Sequence, residues 1–348
     1  MKHRFVRMLL LLMLVFVPAT AVVAQQATIQ EDGWTAWAKN DDPVFSGQYV
    51  AADPSVILDN GLYRMFYTCI DPSGDVTIAE ICEATSSDGM SWTNIPTTGE
   101  IEGLVLAGRP GMWDEHLETS LIVKRGDQYL LYYSGYQTDG LPVIGFPASL
   151  GLATSTDGVT FTRVQDEPIL SPTEGALDND AIYGPTIVEY NSQLVMIYAG
   201  HCYNNCPTGE DSEVTLLAAT STDGITWTKQ SDPVLARIDG LNWMEDGIAD
   251  PDLVLGPDGR YYLFFTGVRE DDRAIGLAVS DSPFGPWTVN ADPIILPSVT
   301  GVGFDAAGVV APTVLFEGDR ARMWFRGTGS NDEGFAIGYA EAPWPIVG

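Results

Sequence analysis

The sequence predicts an all-β protein, a five-bladed β-propeller with four antiparallel strands per blade and the last blade closed by the N-terminal strand. Three observations predict it. A phrase that begins at Asp53-Pro54 recurs at Glu118-Thr119, Gly184-Pro185, Asp250-Pro251 and Ala311-Pro312, at steps of 65, 66, 66 and 61 residues read from the numbering. A second pattern follows most copies, with a Ser-x-Asp-Gly turn in three of them. No helical period of apolar residues interrupts either one.

Each copy of the first phrase reads as a hairpin. SVILDNGLYRMFYT, SLIVKRGDQYLLYYS, TIVEYNSQLVMIYA, DLVLGPDGRYYLFFT and TVLFEGDRARMWFR all set a β-branched run, a Gly, Asp or Asn turn, and an aromatic strand in succession. The second pattern reads as another hairpin in ICEATSSDGMSWTNI, LGLATSTDGVTFTRV, LLAATSTDGITWTKQ and IGLAVSDSPFGPWTV. Its Gly supplies a positive φ, and its Asp bonds its own backbone. Two hairpins make a blade of strands A to D, counted from the inside outward. The fifth copy stops at AIGYAEAPW, after strand C. Its missing fourth strand is expected from Trp34 to Phe45, where WTAWAKNDDPVF matches WTKQSDPVL at Trp227 to Leu235. That pairing removes a sheet edge open to aggregation.

The chain starts with Lys2, Arg4 and Arg7, continues as the apolar run Met8 to Val17, and offers a small-residue cleavage site at Val22-Val23-Ala24. Such a run is about half of what a bilayer span needs, so residues 1–24 are read as a signal peptide. Residues 25–348 are then one propeller domain, secreted and expected to be monomeric. Losing three basic residues moves the formal net charge from −30 to about −33. A surface this acidic repels phosphate backbones and anionic lipid heads, which argues against nucleic acid and membrane partners and suits neutral ligands. Four cysteines in an exported chain imply disulfides. Cys69 and Cys82 bracket one B–C loop and Cys202 and Cys206 another, so local pairing is expected. With His116 and His201 the histidines left beyond the leader, a His-rich metal centre is not expected.

In an antiparallel blade the start of A, the end of B, the start of C and the end of D share one face. The residue just before strand A therefore faces the mouth of the central channel. Those residues are Asp53, Glu118, Gly184, Asp250 and Ala311. Carboxylates gathered at one mouth shift one another's proton affinity, which divides acid from base roles. An Asp before a Pro also starts turns, as Asp42, Asp232 and Asp292 do on the outer strands. Trp113, His116, Tyr183 and Trp243 precede A strands, while Tyr136, His201 and Tyr203 follow B strands, which places aromatic rings where sugar faces would stack. Arg326 stands where the other blades carry Thr68, Ser134, Ala199 and Thr266, either as a clamp for a ligand hydroxyl or as a salt-bridge partner.

The A-D-P-S and A-D-P-D openings, the L-E-T-S-L-I-V-K-R-G-D-Q-Y-L-L-Y-Y run and the S-x-D-G-x-T-W turns resemble those of a known clan. It contains arabinanases, β-xylosidases, invertases and levansucrases, and the pattern is most similar to the family 43 glycoside hydrolases. The resemblance implies an Asp base on blade one, an orienting Asp on blade three and a Glu acid on blade four. Here the acids fall on blades one, two and four. Counted round the ring from blade four, the order matches the family's: Asp250 as base, Asp53 as orienting acid, Glu118 as proton donor. Direct inheritance, with Asp53 as base, stays open. The invertase motifs Trp-Met-Asn-Asp-Pro, Arg-Asp-Pro and Glu-Cys are absent from the sequence.

The resemblance implies a secreted glycosidase cleaving arabinose-, xylose- or related furanose-containing oligo- or polysaccharides. The rival reading is a propeller that binds carbohydrate or serves as a scaffold without cleaving. No cofactor or catalytic metal is expected, with room left for a structural calcium in the central channel.

Overall fold

The structure, a computed structural model, describes residues 27–47, 50–70, 78–137, 145–203, 206–210, 212–270, 272–298, 303–329 and 334–347. The expected signal peptide lies outside them. Among the described residues the fold is all-β, with one 3-10 turn at Asn242–Met244, and no helix is long and apolar enough to cross a membrane.

Two short strands come first, β1 (Thr28–Gln30) and β2 (Ala38–Lys39). The first repeat then folds as β3 (Val50–Asp59), β4 (Leu62–Ile70), β5 (Ala79–Ser86) and β6 (Thr93–Asn94), followed by β7 (Leu104–Leu106). The second gives β8 (His116–Arg125), β9 (Gln128–Tyr136), β10 (Ala148–Ser155) and β11 (Thr162–Arg163). The third gives β12 (Ala181–Tyr190), β13 (Gln193–Cys202), β14 (Glu213–Ser221) and β15 (Thr228–Lys229). The fourth gives β16 (Gly247–Leu255), β17 (Tyr261–Arg269), β18 (Asp272–Ser280) and β19 (Thr288–Asn290). The fifth gives β20 (Gly308–Glu317), β21 (Arg320–Thr328) and β22 (Phe335–Pro343).

Each repeat is an antiparallel meander, and β2 pairs antiparallel with β22, Ala38 opposite Glu341 and Lys39 opposite Ala340. The tight turn Asn60-Gly61 between β3 and β4 has φ of 53° and 81°, the positive pair that a two-residue hairpin needs. Fourth strands come in two pieces. After β11, β15 and β19 a second segment returns to the same third strand, through the bridges Leu150–Leu170, Leu216–Leu235 and Ile275–Ile295. These are the E-P-I-L, D-P-V-L and D-P-I-I segments, and Phe45 of D-P-V-F bridges Ile337 in the same manner. β1 adds an unforeseen parallel strand beside β19.

Second strands such as β4 are buried along nearly their whole length, because a neighbouring sheet covers each face. The apolar cores accordingly lie between repeats. One cluster joins Phe66 and Ile81 to Leu131 and Tyr133, and another joins Tyr132 and Leu152 to Met196 and Leu217. Further clusters join Ile197 to Leu263, Phe264 to Phe325, and Trp324 and Tyr339 back to Met65 and Tyr67.

The Ser-x-Asp-Gly turns hold themselves and their neighbours. Asp88 Oδ1 accepts the N–H groups of Met90 and Ser91 at 2.8 Å, which pulls its carboxyl down to about 2. The turn then presents carbonyls to the adjacent sheet. Arg322 and Trp324 donate to Asp88 and Gly89, Arg64 to Gly158, and Tyr132 to Gly224. Both expected disulfides are present, Cys69–Cys82 and Cys202–Cys206.

A basic residue on the outer strand reaches back to a buried Asp ahead of its own meander: Arg163 to Asp114, Lys229 to Asp178, and Lys39 to Asp305. The Asp305 side chain is fully buried. Replacing Lys39 with Met leaves that carboxylate without its cation and is expected to cost roughly 3–5 kcal/mol of folding stability, read as a lower urea midpoint. Adding Asp305→Leu should restore most of the loss. A Lys39→Met midpoint equal to wild type would show that the pair is not a structural tie.

Candidate active site

The proline phrase makes a bulge in every first strand. Pairing with the second strand slips between Ala52 and Ser55, Glu118 and Leu121, Tyr183 and Thr186, Ala249 and Asp252, and Val310 and Thr313. A left-handed residue sits at each slip: Asp53 (φ 47°), Thr119 (46°), Gly184 (57°), Asp250 (46°) and Ala311 (50°). Hydrogen bonds stitch this level across the repeats. Thr119 N–H donates to Thr68 Oγ1 at 3.2 Å, Gly184 N–H to Thr119 Oγ1 at 3.1 Å, and Ala311 N–H to Thr266 Oγ1 at 3.1 Å. Arg326 Nη1 donates to Asp53 Oδ1 at 2.9 Å.

Below them a second belt runs along the channel. Ser55, Thr186, Asp252 and Thr313 accept the N–H groups of Ile122, Leu253, Val314 and Val56. Asp252 is the acidic member, and burial raises its carboxyl to about 7.

This register corrects one expectation. Thr119, not Glu118, is the equivalent of Asp53 and Asp250. Glu118 pairs with Ser134 and shares its level with Ala52, Tyr183, Ala249 and Val310. The second repeat carries Ser120 where the others carry proline, so its sequence has no fixed point for alignment.

The three acids nevertheless line one cavity, together with Tyr183, His201, Tyr203, Arg273 and Arg326. Asp53 is buried, with one oxygen held by Arg326 and the other by Thr68 Oγ1 at 3.2 Å. Glu118 is half-buried and accepts a 2.6 Å hydrogen bond from the Tyr136 hydroxyl. Its carboxyl is raised to about 7, by burial first and by the charge of Asp53 next, against the opposing pull of Tyr136 and Arg326. Asp250 is also pushed upward, mainly by burial and then by Asp53, while Arg326, Thr266 and Arg273 restrain it. Among the described residues no group of three or more His, Cys, Asp or Glu side chains is arranged to hold a metal ion.

Residues 119–294 match the family described as Glycosyl hydrolases family 32 N-terminal domain, half of the chain. The chain belongs to that family. This family-32-type propeller is also similar to Xylosidase/arabinosidase 43A of Humicola insolens, at 37% identity over 62 residues, which is 18% of this chain and 19% of that protein. The chain thus spans about a fifth of that curated relative. A solved structure described as a glycoside hydrolase superposes with a TM-score of 0.69 at 18% identity, covering 90% of this chain and 92% of the other. A thermostable family-43 glycoside hydrolase superposes at 0.62 with 17% identity, covering 84% and 89%. The clan that the motifs indicated is therefore the right one. The matching family model is that of family 32, although the motifs alone favoured family 43.

The family-32-type propeller uses its other expected site residues in two ways. Tyr183 and His201 do line the cavity. The Tyr183 hydroxyl donates to Gly145 O at 2.7 Å, and His201 Nδ1 lies 2.9 Å from the Tyr203 hydroxyl. Burial lowers the His201 imidazole to about 4, so it is neutral near neutral pH. His116 sits outside, stacked on Tyr136 at 5.2 Å and buried, where it backs the ring that holds Glu118.

Trp113 and Trp243 also lie outside the acid cavity. They stack on Tyr133 and Phe265 and cover Gly135 and Gly267, where a Cβ would come within 2.6 and 2.3 Å of the indoles. Phe304 does the same over Gly327. These rings are a repeating pillar that supports the site rather than a surface within it. Tyr136, expected as a ring at the mouth, has a definite task in its bond to Glu118. Arg273 was not foreseen. Its signal was a charge at a strand position that is apolar in the other repeats.

Proposed function

We propose that the chain is a secreted glycoside hydrolase acting on arabinose-, xylose- or related furanose-containing glycans, with Glu118 as the proton donor and Asp250 as the base. The observation that carries this reading is the unequal environment of three carboxylates lining one cavity. Glu118 keeps its proton up to about pH 7 and can protonate a glycosidic oxygen. Asp53 has both oxygens engaged by Arg326 and Thr68, which suits orientation. Asp250 is more basic than an ordinary carboxylate and has no cation within ion-pair distance among the described residues, which suits activation of water. That division supports counting the ring from the fourth repeat. The substrate class rests on the name of the curated relative and on the motif resemblance.

The reading includes one domain, residues 25–348, closed as a five-bladed ring, monomeric, with residues 1–24 removed on export. The strand β2 on β22, the Lys39–Asp305 pair that repeats the geometry of Lys229–Asp178, and the apolar cluster joining fifth and first repeats support closure. Inverting displacement is what the resemblance to family 43 implies, with acid and base carboxyls on the order of 6.5–9.5 Å apart.

Screening the full mature chain against arabinan, xylan and aryl glycosides tests the activity, and the anomer first released, read by NMR, tests the stereochemistry. Binding of these glycans with no cleavage of any would favour the non-catalytic propeller. The pH profile adds a sharper check. Activity should fall as pH rises through about 7, where Glu118 loses its proton, and fall again at low pH as Asp250 takes one up. Tyr136→Phe removes a bond that favours the ionised Glu118, so the alkaline limb should move to higher pH. An unmoved limb would reduce Tyr136 to packing.

A further inference from the structure

Arg273, near the start of β18, breaks the pattern of the repeats. The residues at its level in the other third strands are Ala79, Ala148, Val214 and Phe335. Its side chain lines the acid cavity beside Val214, Val268 and Val310. It is half-buried, yet among the described residues it has no ion pair and no hydrogen bond. It is near enough to Asp250 and Tyr203 for its charge to act on both. The same side chain also lines a second hollow, with Trp243, Asp272, Leu296, Ser298 and Arg269, the last paired with Glu245. A guanidinium therefore stands between the catalytic cavity and a neighbouring space large enough to be a pocket in its own right.

A planar guanidinium partly withdrawn from water and left unpaired is matched best by a carboxylate, which it binds through two parallel hydrogen bonds. We propose that Arg273 is the recognition point for a carboxylate on the glycan, so that the preferred substrate carries a uronic acid unit in the hollow beside the acid cavity. This rests on the reading that the acid cavity binds a glycan. Charges more than about 8 Å away are largely screened at physiological ionic strength, so the acids that oppose it are the near ones, Asp250 in the cavity and Asp272 in the hollow, and not the net charge of −30 as a whole. Arg326 already carries an ion pair with Asp53, whereas Arg273 carries none among the described residues.

The test is calorimetric binding to the full mature chain carrying Glu118→Gln, so that hydrolysis plays no part. The probes are disaccharides containing D-glucuronate or D-galacturonate, each beside its methyl ester, which keeps the shape and removes the charge. At physiological ionic strength at least one acid should bind about 10-fold more tightly than its ester, and the gap should narrow as salt is raised further. Arg273→Gln should abolish the gap, and Arg273→Lys should keep only part of it. Equal binding of acid and ester, no binding of either, or a gap that survives Arg273→Gln overturns the proposal. A uronate gap in a chain whose wild type cleaves no glycan would end the hydrolase reading and leave this one standing. Cleavage of neutral glycans without a uronate gap would do the reverse.

Discussion

Glu118→Gln is expected to leave the fold intact and to lower turnover of natural glycans on the order of 10²–10⁴-fold. The amide fits the same space and still accepts from Tyr136, but it has no proton to give the leaving oxygen. Glycan affinity should persist, because the contacts of the cavity are unchanged. Substrates whose leaving group is already a good one, such as nitrophenyl glycosides, need little protonation and should lose much less. Steady-state kinetics on a natural glycan and an aryl glycoside side by side would decide it. Undiminished turnover of the natural glycan removes Glu118 from the mechanism, and an equal loss on both substrates points to a damaged site rather than a missing acid.

Asp250→Ala should cost a similar factor for a different reason: water is no longer activated. The truncation leaves a space against Gly184, which has no side chain to fill it; a Cβ at Gly184 would lie 3.4 Å from the Asp250 backbone. Azide supplied at high concentration can occupy that space and attack in place of water, so activity should partly return as a glycosyl azide. Asp53→Ala should also be crippling, yet azide should not rescue it, because what is lost there is the anchor of Arg326. Rescue of Asp53→Ala and not of Asp250→Ala would exchange the two roles.

Much of this was legible in the residues. The repeated phrase and its turns predicted the meanders, since hairpin chemistry is local and a run such as LYRMFYTCI has few other ways to be buried on both faces. The disulfides followed for the same reason, each spanning one loop. The level of Glu118 did not. With Ser120 in place of proline, the sequence aligns Glu118 with Asp53 and Asp250, while the backbone places the bulge one residue later at Thr119. Register in a bulged strand depends on what the neighbouring strand offers, here Thr68 and Ser134, and that information is dispersed along the chain.

Two of the aromatic residues expected at the mouth serve packing instead. Trp113 and Trp243 sit beside glycines that only the folded sheet brings beneath them, so their packing has no short-range signature. Arg273 is hidden for the opposite reason, as an ordinary-looking Arg that follows Glu270, Asp271 and Asp272 in the sequence.

The left-handed backbone at the mouth bears on how this protein could be made hardier, and at what loss. A side chain in that conformation costs about 1 kcal/mol, and glycine escapes most of it. Four of the five sites carry the strain, and Gly184 shows the relaxed alternative. Selection for heat resistance alone would therefore drive Asp250 toward glycine and erase its carboxylate, whereas the ion pair with Arg326 holds Asp53 in place. Thermostable variants sought by random mutagenesis should be sorted for this route, because the ones that gain most there will be inert. Ala311→Gly is the exception: it relaxes the same strain at a position with no carboxylate to lose.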